Sequence, residues 1–317
     1  VTGVQTCALP ISIALVMMSR INRRNVITDP HADCGRLGGR FYEEESGGVV
    51  SYRIKRLPVA LAASFVAGNV SSLLGIGGGM VMVPMLVFVF TAAGLQAEHL
   101  MHCALGTAMA SVVFTALSSV RAHHRHGGVD WRAAFSIAPG IMAGSLGAAF
   151  AAGFIPTRPL AICFTGLMFF ASAHMYFEFR PEPERTLPGT VGLFGAGAGI
   201  GAISSVLAAG GAFLTIPYLV RRNVPMRRAI GTAAAIGFPI ALAGTVGYVL
   251  HGLRVQGLPP GSLGFVYLPA FAIVSVASVL VAPLGARLAH RLPVRRLRAV
   301  FSLVLLALAV RMLANLW

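Results

Sequence analysis

The sequence predicts an all-α fold: a polytopic transmembrane helical bundle of two inverted-topology repeats, with broken or re-entrant helices at glycine-rich motifs. Three observations support this prediction. Only 11% of the 317 residues are charged, whereas an average soluble domain carries roughly 25%. The charges lie between long apolar runs, and about 20 apolar residues cross a bilayer as a helix. Two motifs also recur in the same order in the second half of the chain.

The N-terminal residues are set apart from the membrane part. Residues 1–11, VTGVQTCALPI, resemble a translated sequencing adapter and are excluded from the fold prediction. Residues 12–57 are polar and charged, and we interpret them either as a solvent-exposed N-terminal segment or as a truncated linker from an upstream membrane segment. Because the chain does not begin with Met, we expect it to be a fragment.

Apolar runs define membrane repeat 1 over residues 58–178 and membrane repeat 2 over residues 189–317. A run as short as Ala212–Val220 cannot cross a bilayer alone, so we expect it to pair with the preceding span as a re-entrant or broken helix. The predicted spans are Pro58–Leu74, Met80–Ala93, Leu100–Val120, Trp131–Ala152, Pro156–Phe177, Gly189–Ala208, Ala212–Val220, Ala229–Leu250, Leu263–Ala282 and Val294–Leu316.

The internal repeat rests on two matched blocks. The first block begins at Ser71 and recurs at Ser204 with a constant offset of 133 residues, so that paired Ser, paired Gly and one Pro coincide. The second block, Ala104–Ala108, recurs at Ala229–Ala233 with an offset of 125 residues. Each half has an odd number of crossings, so the second half is predicted to enter from the opposite side, as in many secondary transporters.

The distribution of arginine predicts the orientation. Fourteen arginines between Arg121 and Arg298 fall on one predicted side of the membrane, and three, Arg158, Arg254 and Arg311, fall on the other. The positive-inside rule makes the Arg-rich side cytoplasmic. The basic residues just before Pro58 disagree with this orientation, which we attribute to the foreign or truncated N-terminal segment.

The glycine breaks are predicted to bind a small anion. A helix N-terminus presents unpaired N–H groups and partial positive charge, and two such ends near the membrane midplane would form one site. Close helix packing is the alternative explanation for glycine in membrane helices. The candidate binding residues are Ser71, Ser72, Gly75, Gly77, Gly78, Gly79, Pro84, His102, Gly106, Thr107, Ser204, Ser205, Gly210, Gly211, Pro217, Gly231 and Thr232.

Acidic residues are absent from residues 189–317, which argues against a cation or proton pathway and favours an anion. The histidines His123, His124 and His126 leave open a metal-cation permease, although a basic cytoplasmic loop explains them more simply. No nucleophile–base motif, cofactor fingerprint or resident metal site is found, so no enzyme is predicted. The arginines lie at span ends rather than on one soluble face, which excludes nucleic acid as a partner.

The run Gly75–Gly79 with its following Pro and Leu, the later Ala-Leu-Gly-Thr block and their repetition resemble the sulfite exporter TauE/SafE family over about Pro58 to Trp317. The resemblance implies export of sulfite, sulfoacetate or related organosulfonates across the bacterial inner membrane. The second break differs, because alanines at Ala208, Ala209 and Ala212 replace glycines of the first copy. We therefore expect an asymmetric site, with the first copy at Gly75–Gly79 as the better candidate.

The expected partners are the lipid bilayer and a small anionic substrate, and a homo-oligomer is left open. A non-transporting membrane scaffold packed through its glycines remains the alternative from another functional class.

Overall fold

The computed structural model describes residues 78–95, 97–125, 127–177, 189–275 and 294–314. The predicted span Pro58–Leu74, the proposed adapter and N-terminal segments, and four candidate residues of the first break lie outside these ranges. Those four residues are Ser71, Ser72, Gly75 and Gly77.

The described residues are mostly helical, as the apolar runs predict. The helices are α1 (Gly79–Ala92), α2 (Leu100–Arg125), α3 (Trp131–Ala152), α4 (Thr157–Tyr176), α5 (Thr190–Val206), α6 (Ala212–Arg221), α7 (Met226–Gly252), α8 (described over residues 268–275) and α9 (Val294–Ala314).

Four of these helices are long and apolar enough to cross a membrane: Leu100–Arg125, Trp131–Ala152, Thr157–Tyr176 and Arg228–Gly252. Large apolar side chains such as Phe135, Phe170 and Val191 remain exposed on the outside of the bundle. Exposed apolar side chains are the normal surface of a protein whose solvent is lipid. The chain is therefore a multi-pass membrane protein.

One predicted span begins differently from the expectation. The apolar run was predicted to start a helix at Leu263, but a two-stranded antiparallel hairpin occupies Ser262–Leu263 (β1) and Val266–Tyr267 (β2). Helix α8 begins only after this hairpin. Gly261 and Gly264 have φ angles of +85° and +55°, a backbone conformation that turns the chain instead of continuing a helix.

The core of the bundle joins the two predicted repeats. Helix α3 packs against α5 and α7, α2 packs against α7, and α9 packs against α4 and α1. Helix α1 also packs against α2, and the short α6 packs against α7.

The interface between α3 and α5 is formed by backbone contact at glycines of both helices. A side chain at Gly140 or Gly144 of α3 would overlap the carbonyl groups of Phe194 or Ala198. On α5, Gly201 approaches the carbonyl of Ile141 in the same way. Small residues at such positions allow membrane helices to approach closely.

Candidate functional site

The described end of the first break (Gly75–Gly79), which is Gly78 and Gly79, lies against the second break (Ala208–Ala212). Helix α1 begins at Gly79, with Gly78 as its N-cap, and both residues are buried. A Cβ atom added at Gly79 would overlap the carbonyl oxygen of Ala208, which belongs to the second break. Ala208 itself has φ +48°, a left-handed conformation that is rare for residues other than Gly and Asn. The start of α1 therefore touches the backbone of the second break directly.

The second break ends in a helix N-terminus without a side-chain cap. Helix α6 begins at Ala212, and its N-cap Gly211 has φ +74°. The carbonyl of Gly211 accepts the N–H of Thr215 at 2.8 Å. The first N–H groups of a helix have no intrahelical partner and attract negative charge. Gly237 of α7 covers the break, because a Cβ there would lie 2.8 Å from the oxygen of Gly210.

The serines of the second break are both fully buried and have different partners. The Ser205 hydroxyl donates to the carbonyl of Ala202 at 2.9 Å. The Ser204 hydroxyl has no hydrogen-bond partner. Thr215, in the first turn of α6, is also fully buried with an unpartnered hydroxyl. Sequence reasoning missed Thr215, although its position four residues after the break glycine was a usable signal.

The two predicted prolines follow the breaks at the same position of each helix. Pro84 is the sixth residue of α1 and Pro217 is the sixth residue of α6. Membrane helices tolerate such prolines when neighbouring groups satisfy the freed backbone.

The Gly-Thr block of α2 contacts the hairpin that precedes α8. A Cβ added at Gly106 would lie 2.7 Å from the carbonyl oxygen of Phe265. The buried hydroxyl of Thr107 accepts the backbone N–H of Tyr267 at 3.0 Å. The hairpin thus packs on α2 through close backbone contact at Gly106 and one hydrogen bond to Thr107.

The Gly-Thr block of α7 makes the corresponding contacts with the loop between α2 and α3. A Cβ added at Gly231 would overlap the carbonyl oxygen of Gly128. The buried hydroxyl of Thr232 accepts the backbone N–H of Asp130 at 2.9 Å. The carboxylate of Asp130 in turn accepts the N–H of Ala133 and caps α3.

These contacts are reciprocal between the two halves. The loop residues that receive the blocks are separated by a constant 137 residues, from Gly128 to Phe265 and from Asp130 to Tyr267. Each block therefore holds the equivalent loop of the other half. Both threonine hydroxyls accept a loop N–H, and their contact with substrate stays a prediction.

A comparison with protein families identifies the chain. The family model described as sulfite exporter TauE/SafE matches residues 60–312. The chain belongs to this family.

Curated relatives of this TauE/SafE chain carry the same general description. A probable membrane transporter protein of Haemophilus influenzae is 30% identical over 259 residues, which cover 80% of this chain and 97% of the relative. A probable membrane transporter protein of Methanocaldococcus jannaschii is 23% identical and covers 81% of this chain and 95% of its own length. No solved structure matches the chain. The family resemblance expected from the motifs is confirmed.

The predicted candidate His102 lies in an aromatic cluster of the TauE/SafE chain, beside the hairpin. Its Nε2 atom lies 3.0 Å from the carbonyl oxygen of Ile155 and 3.2 Å from that of Ala152. Because carbonyls only accept, Nε2 carries the proton and donates to the last residue of α3 and to the loop that follows it. The His102 ring stacks on Phe265 at 4.9 Å, and His251 stacks on the same ring at 5.8 Å.

The histidine-rich loop is only partly within the described residues. His124 lies beside Trp131, whose indole N–H donates to His124 Nδ1 at 3.2 Å. His126 lies outside the described residues. Among the residues that the structure describes, no three His, Cys, Asp or Glu side chains are arranged to hold a metal ion.

Proposed function

We propose that this TauE/SafE-family protein is a secondary transporter that exports a small anion across the bacterial inner membrane, with sulfite or an organosulfonate as the leading candidate. The family description names sulfite export. The names of the curated relatives support membrane transport without naming a substrate.

The uncapped N-terminus of α6 at the second break carries this proposal. It begins at a left-handed glycine and is buried, and the start of α1 at Gly79 contacts Ala208, four residues before α6. Buried N–H groups without partners are costly in an apolar environment, and an anion would satisfy them. An anion held there would lie at the junction of the two halves, where inverted-repeat transporters bind their substrates.

The reciprocal Gly-Thr contacts support the inverted repeat on which alternating access would depend. Two equivalent blocks hold two equivalent loops, as expected for halves related by a pseudo-two-fold axis. The arginine distribution supports an orientation with the Arg-rich loops on the cytoplasmic side.

Flux into proteoliposomes tests the proposed function. Purified protein in vesicles is expected to carry radiolabelled sulfite, and unlabelled methanesulfonate or sulfoacetate is expected to compete. Gly211→Ala should reduce the flux, since the new side chain is strained at φ +74° and overlaps Ile240. Gly199→Ala is the matched control, because nothing lies within 4 Å of the added atom. Absence of flux for all three anions with the unmodified protein would contradict the proposal.

A further inference from the structure

Two buried hydroxyl groups at the second break lack the partner that helices normally provide. Other buried hydroxyls in this bundle, those of Ser111 and Thr165, donate to the carbonyl four residues earlier at 2.8 and 2.7 Å. A helix offers this acceptor to any Ser or Thr side chain. Ser204 and Thr215 are 0% exposed and make no such bond. A buried hydroxyl without a hydrogen-bond partner destabilises the protein unless a bound ligand supplies that partner.

The two hydroxyls converge on one point beside the N-terminus of α6. Measured from the position of a Cβ on Gly211, Ser204 Oγ lies at 3.5 Å and Thr215 Oγ1 at 3.6 Å, and the terminal methyl group of Ile240 overlaps that position. The same glycine is the N-cap of α6 and has no side-chain cap. Two unpartnered hydroxyls and the first N–H groups of α6 therefore lie near one place, and the Ile240 side chain must move from it for a ligand to enter.

These donors are all electrically neutral. Among the buried side chains that the structure describes, none is Arg or Lys, and the buried histidines are His102 and His251. His251 lies 14 residues beyond Gly237, the α7 residue at the break, which is roughly 21 Å along a helix. One titratable side chain, His174, packs its ring on Phe213 in the first turn of α6. The cost of removing an ion from water rises with the square of its charge, so where His174 is neutral these donors favour a monoanion over a dianion.

The donor pair belongs to the second half of the chain alone. The repeat offset of 133 residues places Met82 where the second half has Thr215, and Met82 is buried with no hydroxyl to offer. The first half therefore cannot reproduce the pair at its own break.

We infer that Ser204, Thr215 and the N-terminus of α6 bind the oxygens of a monoanionic oxyanion, of the hydrogen sulfite or alkyl sulfonate type. This inference rests on the proposed function and adds to it a donor residue, Thr215, and a charge preference. Ser204 and Thr215 are completely buried, so the structure shows the site closed to solvent.

Binding of methanesulfonate and sulfate to purified protein tests the inference by calorimetry. Both anions are tetrahedral at sulfur, but methanesulfonate carries one charge and sulfate two. We expect methanesulfonate to bind at least about 10-fold more tightly than sulfate. Thr215→Val should weaken methanesulfonate binding by about 10- to 100-fold, the usual loss for one hydrogen bond to a charged group. Thr215→Ser keeps the hydroxyl and should keep most of the affinity.

The matched control is Thr165→Val, which removes a buried hydroxyl bonded to a carbonyl in α4 and should leave anion affinity unchanged. Because the Thr215 hydroxyl has no partner in the protein, Thr215→Val should not lower the melting temperature of the ligand-free protein. Unchanged affinity in Thr215→Val would overturn the assignment of Thr215, and equal affinity for sulfate would overturn the charge preference. Unmodified protein that neither binds nor moves any of these anions would overturn the proposed function, whereas normal sulfite flux in Thr215→Val would overturn this inference alone.

Discussion

Replacing Gly79 with Ala tests whether the contact between the two breaks holds the bundle together. The added Cβ would overlap the backbone carbonyl of Ala208. A side chain could rotate away, but a backbone carbonyl at a fully buried position cannot. The residues that follow Gly79 in α1, from Met80 to Leu86, are buried as well, so the helix has no free space into which to shift.

The expected loss of stability follows from two opposing effects. Overpacking a buried contact costs roughly 1–3 kcal/mol, and the rigid carbonyl places this substitution at the upper end. Ala in place of Gly stabilises the helix by up to about 1 kcal/mol, because Ala has the higher helix propensity. The net loss is about 2 kcal/mol, which corresponds to a decrease of about 3 °C in melting temperature for a protein of 317 residues.

Thermal unfolding of the purified protein in detergent, followed by circular dichroism, measures this decrease. Gly147→Ala is the control, because Gly147 is an exposed residue of α3 with nothing within 4 Å of the added atom. The control should keep or raise the melting temperature, since only the gain in helix propensity remains. The reasoning is refuted if Gly79→Ala and Gly147→Ala shift the melting temperature in the same direction by similar amounts.

Other substitutions test the remaining contacts. Thr107→Val and Thr232→Val should each lower the free energy of unfolding by about 1–3 kcal/mol, because a loop N–H loses its acceptor. The corresponding Ser variants should retain most of the stability. A Val variant with unchanged stability would contradict the assigned role. Ala208→Gly should raise stability by about 1 kcal/mol, since it removes the left-handed strain at φ +48°; a lower melting temperature would count against it. In a cysteine-free background, a membrane-impermeant maleimide applied to whole cells should label Arg158→Cys but not Arg132→Cys, and the reverse pattern would invert the proposed orientation.

Apolar run length predicted most helices of the described region within a few residues. Helix α3 has the predicted bounds, Trp131–Ala152, and α6 differs from its predicted end by one residue. The hairpin before α8 was missed, because the apolar residues around Leu263 fit a span and hide two turn glycines. Hydropathy reports where a segment is apolar, but the φ angle of a single glycine decides whether the helix starts there.

The sequence predicted where the candidate site lies and some of its residues, but not all of its hydroxyl groups. The repeat located the second break and Ser204, which the structure describes as buried and unpartnered. Repeat matching could not find Thr215, because it selects what the two halves share and the first half has Met82 there. The preference for the first copy, Gly75–Gly79, stays a prediction, since most of that run lies outside the described residues.

The glycine contacts between α3 and α5 also determine which parts of the bundle can move. Backbone packed directly on backbone has no rotamer to change, so these two helices cannot slide past each other in small steps. Helices α3 and α5 join α7 and α2 through further packing and form a stiff frame of four helices. In the proposed transport cycle we expect elements attached to this frame to move, and the ten-residue α6, whose N-cap is Gly211, is a short helix that packs on the frame through α7.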